Sequence, residues 1–218
     1  MDVIDSLDRV RAERDVLAHP FYRRWSAGEL SRAELGIYAG QYRHAVVALA
    51  DASQLAAASA PEGVREGLER HAEEERDHVA MWDAFAAVCG GAPDAAALAE
   101  TAGCAERWTA GSDLLERLAV LYAIEASQPE ISRTKLEGLR EHYAFVAEGP
   151  AHAPHPATEY FTVHERLDVE HAGAAAQLIG ELMAAEADPG AKAAAMVACA
   201  ERALEGNWEL LSGVEDAV

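Results

Sequence analysis

The spacing His164-x3-Asp168-x2-His171 puts two imidazoles and a carboxylate on one stripe of a helix. At 100° per residue, offsets of four and seven keep all three within roughly 60° of arc. Such a set suits iron, manganese or zinc. The neighbours Phe161, Leu167, Leu178 and Met183 mark a helix that packs inward. The plain alternative is a solvated polar stripe, because polar pairs one turn apart are common on exposed helices. A second set is His71-Ala-Glu-Glu74-Glu75-Arg-Asp-His78. Glu75 and Glu74 lie one turn before His78, and His71 lies two turns before it. Glu-x-x-His is a pair that dimetal carboxylate bundles turn inward; a solvated acidic face is the alternative. The third element is Glu125, whose helical neighbours Leu118, Leu121 and Tyr122 are apolar. A carboxylate there is expensive to bury unless paired or metal-bound, and a structural salt bridge is its alternative. Three helices thus offer three histidines and three carboxylates, enough to hold two metal ions.

The elements that must position them are helices. Alanine, leucine and glutamate dominate, and valine and isoleucine show no strand-like alternation. A first helix is expected over 2–17, stopping before Pro20, with a short segment, 21–27, after it. Ser31 and Glu34 form a capping box for a long helix to about 59. Pro61 breaks it, and the next helix runs over 62–88 to Gly90-Gly91. A short helix follows Pro93, around 94–102, and Ser112 caps another over 113–127. Pro129 bends or breaks what would otherwise continue as helix to about 146. The stretch 147–157 reads as a loop, and two final helices cover 158–186 and 190–212. The expectation is an all-α protein, a single bundle of seven to eight helices in one domain over 1–218.

Composition narrows the function. The 218 residues include 38 acidic and 18 basic side chains, a formal net charge of −20. Such a surface repels phosphate backbones and anionic lipid, so neither nucleic acid nor membrane is an expected partner. No apolar run approaches the length of a membrane span, and residues 1–15 lack the apolar core of a signal peptide. Three cysteines, Cys89, Cys104 and Cys199, stand in no metal spacing and suit a reducing cytoplasm. No Gly-x-Ser-x-Gly, P-loop or dinucleotide turn is present.

Two stretches carry a resemblance. His19-Pro-Phe-Tyr22-Arg-Arg-Trp25-Ser-Ala-Gly-Glu-Leu30, followed by Leu35-Gly-Ile-Tyr38-Ala-Gly-Gln-Tyr42, resembles the opening of the haem-oxygenase-like helical proteins of TenA, PqqC and CADD type. Within that superfamily the chain is most similar to the CADD family, named for the chlamydial protein that associates with death domains. Members of that family look like para-aminobenzoate synthases serving folate synthesis. The similarity runs over about 15–185. Its most specific pieces are Tyr-Phe-Thr-Val-His164-x3-Asp168-Val-Glu-His171 and Glu125-x-Ser-Gln-Pro-x-Ile-Ser-Arg-x-Lys135.

The resemblance implies a haem-oxygenase-like fold and a dimetal site, Fe/Fe or Fe/Mn, that activates dioxygen with electrons from an external reductant of unspecified identity. It assigns His78, Glu125, His164, Asp168 and His171 as ligands. At the remaining position the chain departs from the pattern. The family's first glutamate lies two turns before the histidine, where this chain has His71; other dimetal oxidases place it one turn before, at Glu75. Glu75 is the choice, Glu74 comes next, and His71 stays open. The resemblance also implies that Tyr22 supplies the ring of para-aminobenzoate and Lys135 its amino group, with Tyr38 nearby, so that each chain reacts once. Tyr22 is expected near the metals, ahead of Tyr38, and Lys135 is expected to be exposed. The rivals are a dimetal oxidase acting on a free amino acid, fatty acid or amine, a thiaminase-like hydrolase with a cysteine nucleophile, and a non-enzymatic interaction protein. Helical bundles often pair through apolar faces, so a homodimer is expected.

Overall fold

The computed structural model describes residues 2–143 and 155–217. Among them it contains helices and no strand: α1 Val3–Glu13, a 3-10 turn Val16–Ala18, α2 Pro20–Ala27, α3 Arg32–Ser59, α4 Glu62–Cys89, α5 Ala99–Trp108, α6 Leu114–Glu125, α7 Gln128–Glu141, α8 Glu159–Met183 and α9 Pro189–Asp216. The eight expected helices are present. The ninth is α2, where the sequence marked only a short segment at 21–27.

Local chemistry explains the boundaries. The first helix ends at Glu13 rather than 17, because the Asp15 carboxylate accepts the Leu17 N–H and turns the chain into the 3-10 turn. His19 then caps α2, its Nδ1 accepting the Phe21 N–H at 3.1 Å, and Pro20 occupies the first turn, where it has no hydrogen bond to lose. Gly28, at φ 70°, ends α2. The Ser31–Glu34 capping box forms as expected. The short helix begins at 99, not 94. Gln41 and His44 of α3 hold the backbone of 95–98 instead: Gln41 Nε2 donates to Ala96 O, Leu98 N–H donates to Gln41 Oε1, and His44 Nε2 lies 2.9 Å from Ala95 O. The cap of α6 is Asp113, which accepts the Glu116 N–H, and not Ser112. The expected break falls at 126–127, between α6 and α7, with Pro129 in the first turn of α7. Most of the expected loop at 147–157 lies outside the described residues.

Helix α6 is buried on nearly its whole circumference, from Leu114 to Glu125, as its near-continuous apolar sequence requires. It contacts α3, α8 and α9, and α8 also packs on α4 and α7. The buried apolar side chains form one contiguous cluster. Helices α4, α6 and α8 therefore bring acids and imidazoles to one place inside that cluster. Among the described residues, no helix is long and apolar enough to cross a membrane.

Candidate metal centre

Helix α4 contributes His71, Glu75 and His78 from one face, α6 contributes its last residue, Glu125, and α8 contributes His164, Asp168 and His171. Glu125, His164 and Asp168 are fully buried. The ligand atoms gather in two groups, each within 4.8 Å: His71, Glu75, Glu125 and His171, and Glu75, His78 and His164. Glu75 belongs to both. Its Oε1 lies 3.2 Å from His78 Nδ1, 3.8 Å from His71 Nε2 and 3.9 Å from His171 Nδ1, and its Oε2 lies 3.9 Å from His164 Nε2. Asp168 Oδ1 lies 3.5 Å from His171 Nδ1.

Apart from the His78–Glu75 hydrogen bond at 3.2 Å, the atoms face one another without bonding. Thirteen buried side-chain nitrogens and oxygens lack a hydrogen-bond partner among the described residues, and eight of them are here: His71 Nε2, Glu75 Oε2, both oxygens of Glu125 and of Asp168, His164 Nε2 and His171 Nδ1. The 2.9 Å approach of His71 Nε2 to Glu125 Oε1 is close enough for a hydrogen bond but is not aligned as one. Each buried polar atom left unpaired costs about 1–3 kcal/mol, more when charged. That concentration of cost, on nitrogen and oxygen donors alone, fits a pair of first-row metal ions.

Outer contacts set which nitrogen faces inward. The Tyr160 carbonyl oxygen, 2.7 Å from His164 Nδ1, can only accept, so Nδ1 carries the proton and Nε2 is free. Glu74 Oε2 lies 3.1 Å from His171 Nε2 and leaves His171 Nδ1 for the site. Glu74 is thus turned away from the centre and holds the His171 ring instead. At the family's variable position, both His71 and Glu75 enter, where one was expected. They sit four residues apart on the same face, so the spacing could have signalled both.

The site's electrostatics follow from three carboxylates in a dry interior. Burial opposes protonation of His71, but Glu125, Glu75 and Asp168 overcome it and raise its pKa to about 9. His164 and His171 are raised as well, burial again outweighed by their carboxylate neighbours. Burial pushes the Glu75 carboxyl up, yet His164 and His78 hold it well below the usual range. Glu125 is raised by burial, against the pull of His71. A metal pair would supply the positive charge that these groups now draw from protons.

A second cluster adjoins the first through Tyr160. The Tyr160 ring stacks on His164 at 3.9 Å and meets Trp82 edge-on at 4.9 Å. Trp82 meets Tyr42 and Tyr38, and its Nε1 donates to Ala39 O at 2.8 Å, which fixes the ring. Lys135 is buried rather than exposed, and burial holds its pKa well below the usual lysine range. Its Nζ lies 4.8 Å from the Tyr38 and Tyr42 ring centres, 5.1 Å from Phe161, 5.3 Å from Trp82 and 5.6 Å from Tyr22, and it hydrogen-bonds the Tyr38 hydroxyl. Lys135 was legible in one respect: it shares a helical face with Ile131, Ser132 and Leu139. The ring lying against the ligands is Tyr160. Tyr38 reaches it through Trp82, and Tyr22 joins the cluster beside Tyr38, Phe21 and Lys135.

The three cysteines are buried, Cys104 near Tyr42, and burial pushes the Cys89 thiol up to about 12. That environment disfavours a thiolate nucleophile.

Residues 37–207 match a family described as iron-containing redox enzymes. A 4-aminobenzoate synthase of Chlamydia trachomatis is 30% identical over 201 residues, spanning 86% of this chain and 84% of its own. A protein of the same name from Nitrosomonas europaea is 30% identical over 234 residues, spanning 96% and 89%. Among solved structures, a TenA homologue from Pseudomonas syringae superimposes with a TM-score of 0.80 at 16% identity, covering 98% of this chain and 91% of its own. A domain of unknown function with a haem oxygenase-like fold, from Shewanella denitrificans, gives 0.77 at 18% identity, covering 100% and 93%.

Proposed function

Because the chain belongs to the family of iron-containing redox enzymes, we propose that it is a dimetal oxygenase making 4-aminobenzoate, with Tyr22 the source of the ring and Lys135 the source of the amino nitrogen. Relatives about 30% identical bear the name 4-aminobenzoate synthase, which supports the product. The observation that carries the donor assignment is Lys135: a buried amine ringed by Tyr22, Tyr38, Tyr42, Trp82 and Phe161.

His71, Glu125 and His171 would hold one ion and His78 and His164 the other, with Glu75 shared and Asp168 beside them. Loaded with iron, or with iron and manganese, the centre supplies oxidising power drawn from dioxygen and an external reductant. The chain's own residues do the rest. Burial lowers the Lys135 pKa well below the usual lysine range, which favours the free base whose lone pair can form a bond to carbon. Tyr38 holds that nitrogen by a hydrogen bond. Burial keeps the Tyr22 and Tyr38 phenols protonated, their pKa values raised well above the ordinary one. Tyr160 and Trp82 fill the interval between ligands and lysine and exclude water from it.

The test uses purified protein loaded with iron and given ascorbate and dioxygen alone. It should yield 4-aminobenzoate, at most one molecule per chain. Tyr22→Phe should yield none while holding the same metal, because losing one hydroxyl costs only about 1 kcal/mol. Product from Tyr22→Phe at the wild-type level would refute the ring assignment.

A further inference from the structure

The two halves of the centre differ in what surrounds them. The His78 and His164 side is sealed: their side chains are 4% and 0% exposed, and Tyr160 covers His164. His71 and His171 keep 14% and 12% of their side chains exposed. They form the floor, with Glu125, of a pocket of about 220 Å³ between α4, α6 and α8. Its walls are Leu68, Leu118, Leu121, Ala175 and Leu178, and Arg70 and Glu74 stand among its lining. None of the residues around Lys135 lines it.

We propose that this pocket admits small uncharged apolar molecules to the His71–Glu125–His171 half of the centre, and that the other half receives none. The inference rests on the dimetal reading above and extends it. Size sets the class: a dry apolar cavity of about 150 Å³ takes up benzene or xenon, so this one, at about 220 Å³, has room for a molecule of that size. Charge sets it too. Glu74 and Glu125 in the lining are matched by Arg70 and His71, so ions of neither sign meet a net opposite charge there, and leucine and alanine make the walls. Dioxygen is the member of this class that the proposed reaction consumes. The floor offers it His71 Nε2 and His171 Nδ1, both without hydrogen-bond partners among the described residues, as the groups that hold the ion it would meet.

Gly67 on α4 lines the pocket, and a Cβ there would meet only the Arg70 guanidinium, at 3.9 Å. Gly67→Leu therefore fills the pocket without straining the core. Ala174→Phe, from α8, does so from the opposite wall. Gly103→Leu on α5, where a Cβ meets nothing within 4 Å, is the control. Crystals of the metal-free protein under xenon pressure should bind xenon between Leu68, Leu118 and Leu178, which tests the pocket independently of any metal. With ferrous-loaded protein, the association rate of nitric oxide should fall at least tenfold in Gly67→Leu and Ala174→Phe, at unchanged iron content, and stay at the wild-type rate in Gly103→Leu. Absence of xenon from the pocket, or wild-type nitric oxide rates in both pocket variants, would overturn the proposal alone. A wild-type protein that retains no iron would overturn the dimetal reading and this inference with it.

Discussion

His71 Nε2 lies 2.9 Å from Glu125 Oε1 across the centre, and the Lys135 amine lies among five aromatic rings. Side-chain type and helical spacing say which face a residue shares, not what closes over that face. The triplet His164, Asp168 and His171 was legible because three ligand types recur on one stripe. His71 and Glu75 appeared as competitors because turns of three, four and seven residues all return to one face; only the meeting of α4 with α6 and α8 shows that both fit. Two predictions belong here. With a pKa of about 9, His71 is protonated in the metal-free protein at neutral pH. Because that value is raised above the unfolded one of about 6.5, its contribution to metal-free stability is present below pH 6.5 and is lost as pH rises through 9. A metal must displace that proton, so affinity should climb about tenfold per pH unit from 7 towards 9. Calorimetry in buffers of different ionisation enthalpy should register proton release at pH 7; an affinity flat from pH 7 to 9 would contradict the assignment. Lys135→Met should fold with stability within about 1.5 kcal/mol of wild type, since it keeps the buried stem and removes an amine that burial disfavours. It should form no 4-aminobenzoate. A collapse in urea stability would instead make Lys135 a structural residue.

At the scale of elements, the breaks matter more than the helices. Pro129 lets α6 stop at Glu125, so that the carboxylate stands at a helix end beside α4. Arg11 of α1 secures this break: its guanidinium donates to Ala126 O at 2.6 Å and to Ser127 Oγ at 3.2 Å. That tie joins residues over a hundred positions apart, which no local pattern reveals. The seat of α2 is equally non-local. A Cβ on Gly138 of α7 would lie 2.3 Å from Trp25 Nε1, so only glycine lets α2 come close enough to bring Tyr22 to Lys135. Gly138→Ala should therefore destabilise by about 1–3 kcal/mol, although alanine favours a helix interior by up to about 1 kcal/mol. Trp25→Leu in the same chain should recover part of that loss. Urea denaturation of the two variants checks it; a Gly138→Ala protein as stable as wild type would mean that α2 shifts freely.

For the whole molecule, fold class was readable because an alanine- and leucine-rich chain with helix-spaced apolar residues has few other solutions. What it hid was α2, where Phe21, Tyr22 and Trp25 make one buried face in only eight residues, too short for periodicity to speak. The start of α5 was hidden likewise, since Gln41 and His44 act on it from another helix. The interior carries charges that the metal-free fold tolerates at a cost, so metal and stability are linked. Saturating iron or manganese at a hundredfold its dissociation constant should add about 2.7 kcal/mol, read as a higher Tm that EDTA reverses. A Tm indifferent to both would show that the buried carboxylates hold no ion.

The central claim is that the chain consumes its own Tyr22 and Lys135. It is tested most directly by protein carrying ring-¹³C tyrosine and ε-¹⁵N lysine, loaded with iron and reacted with ascorbate and dioxygen in unlabelled medium. Mass spectrometry should find both labels in the 4-aminobenzoate and, in matching amount, a loss of the side chain at Tyr22 and of nitrogen at Lys135. Unlabelled product, or several molecules of product per chain with Tyr22 intact, would contradict the claim.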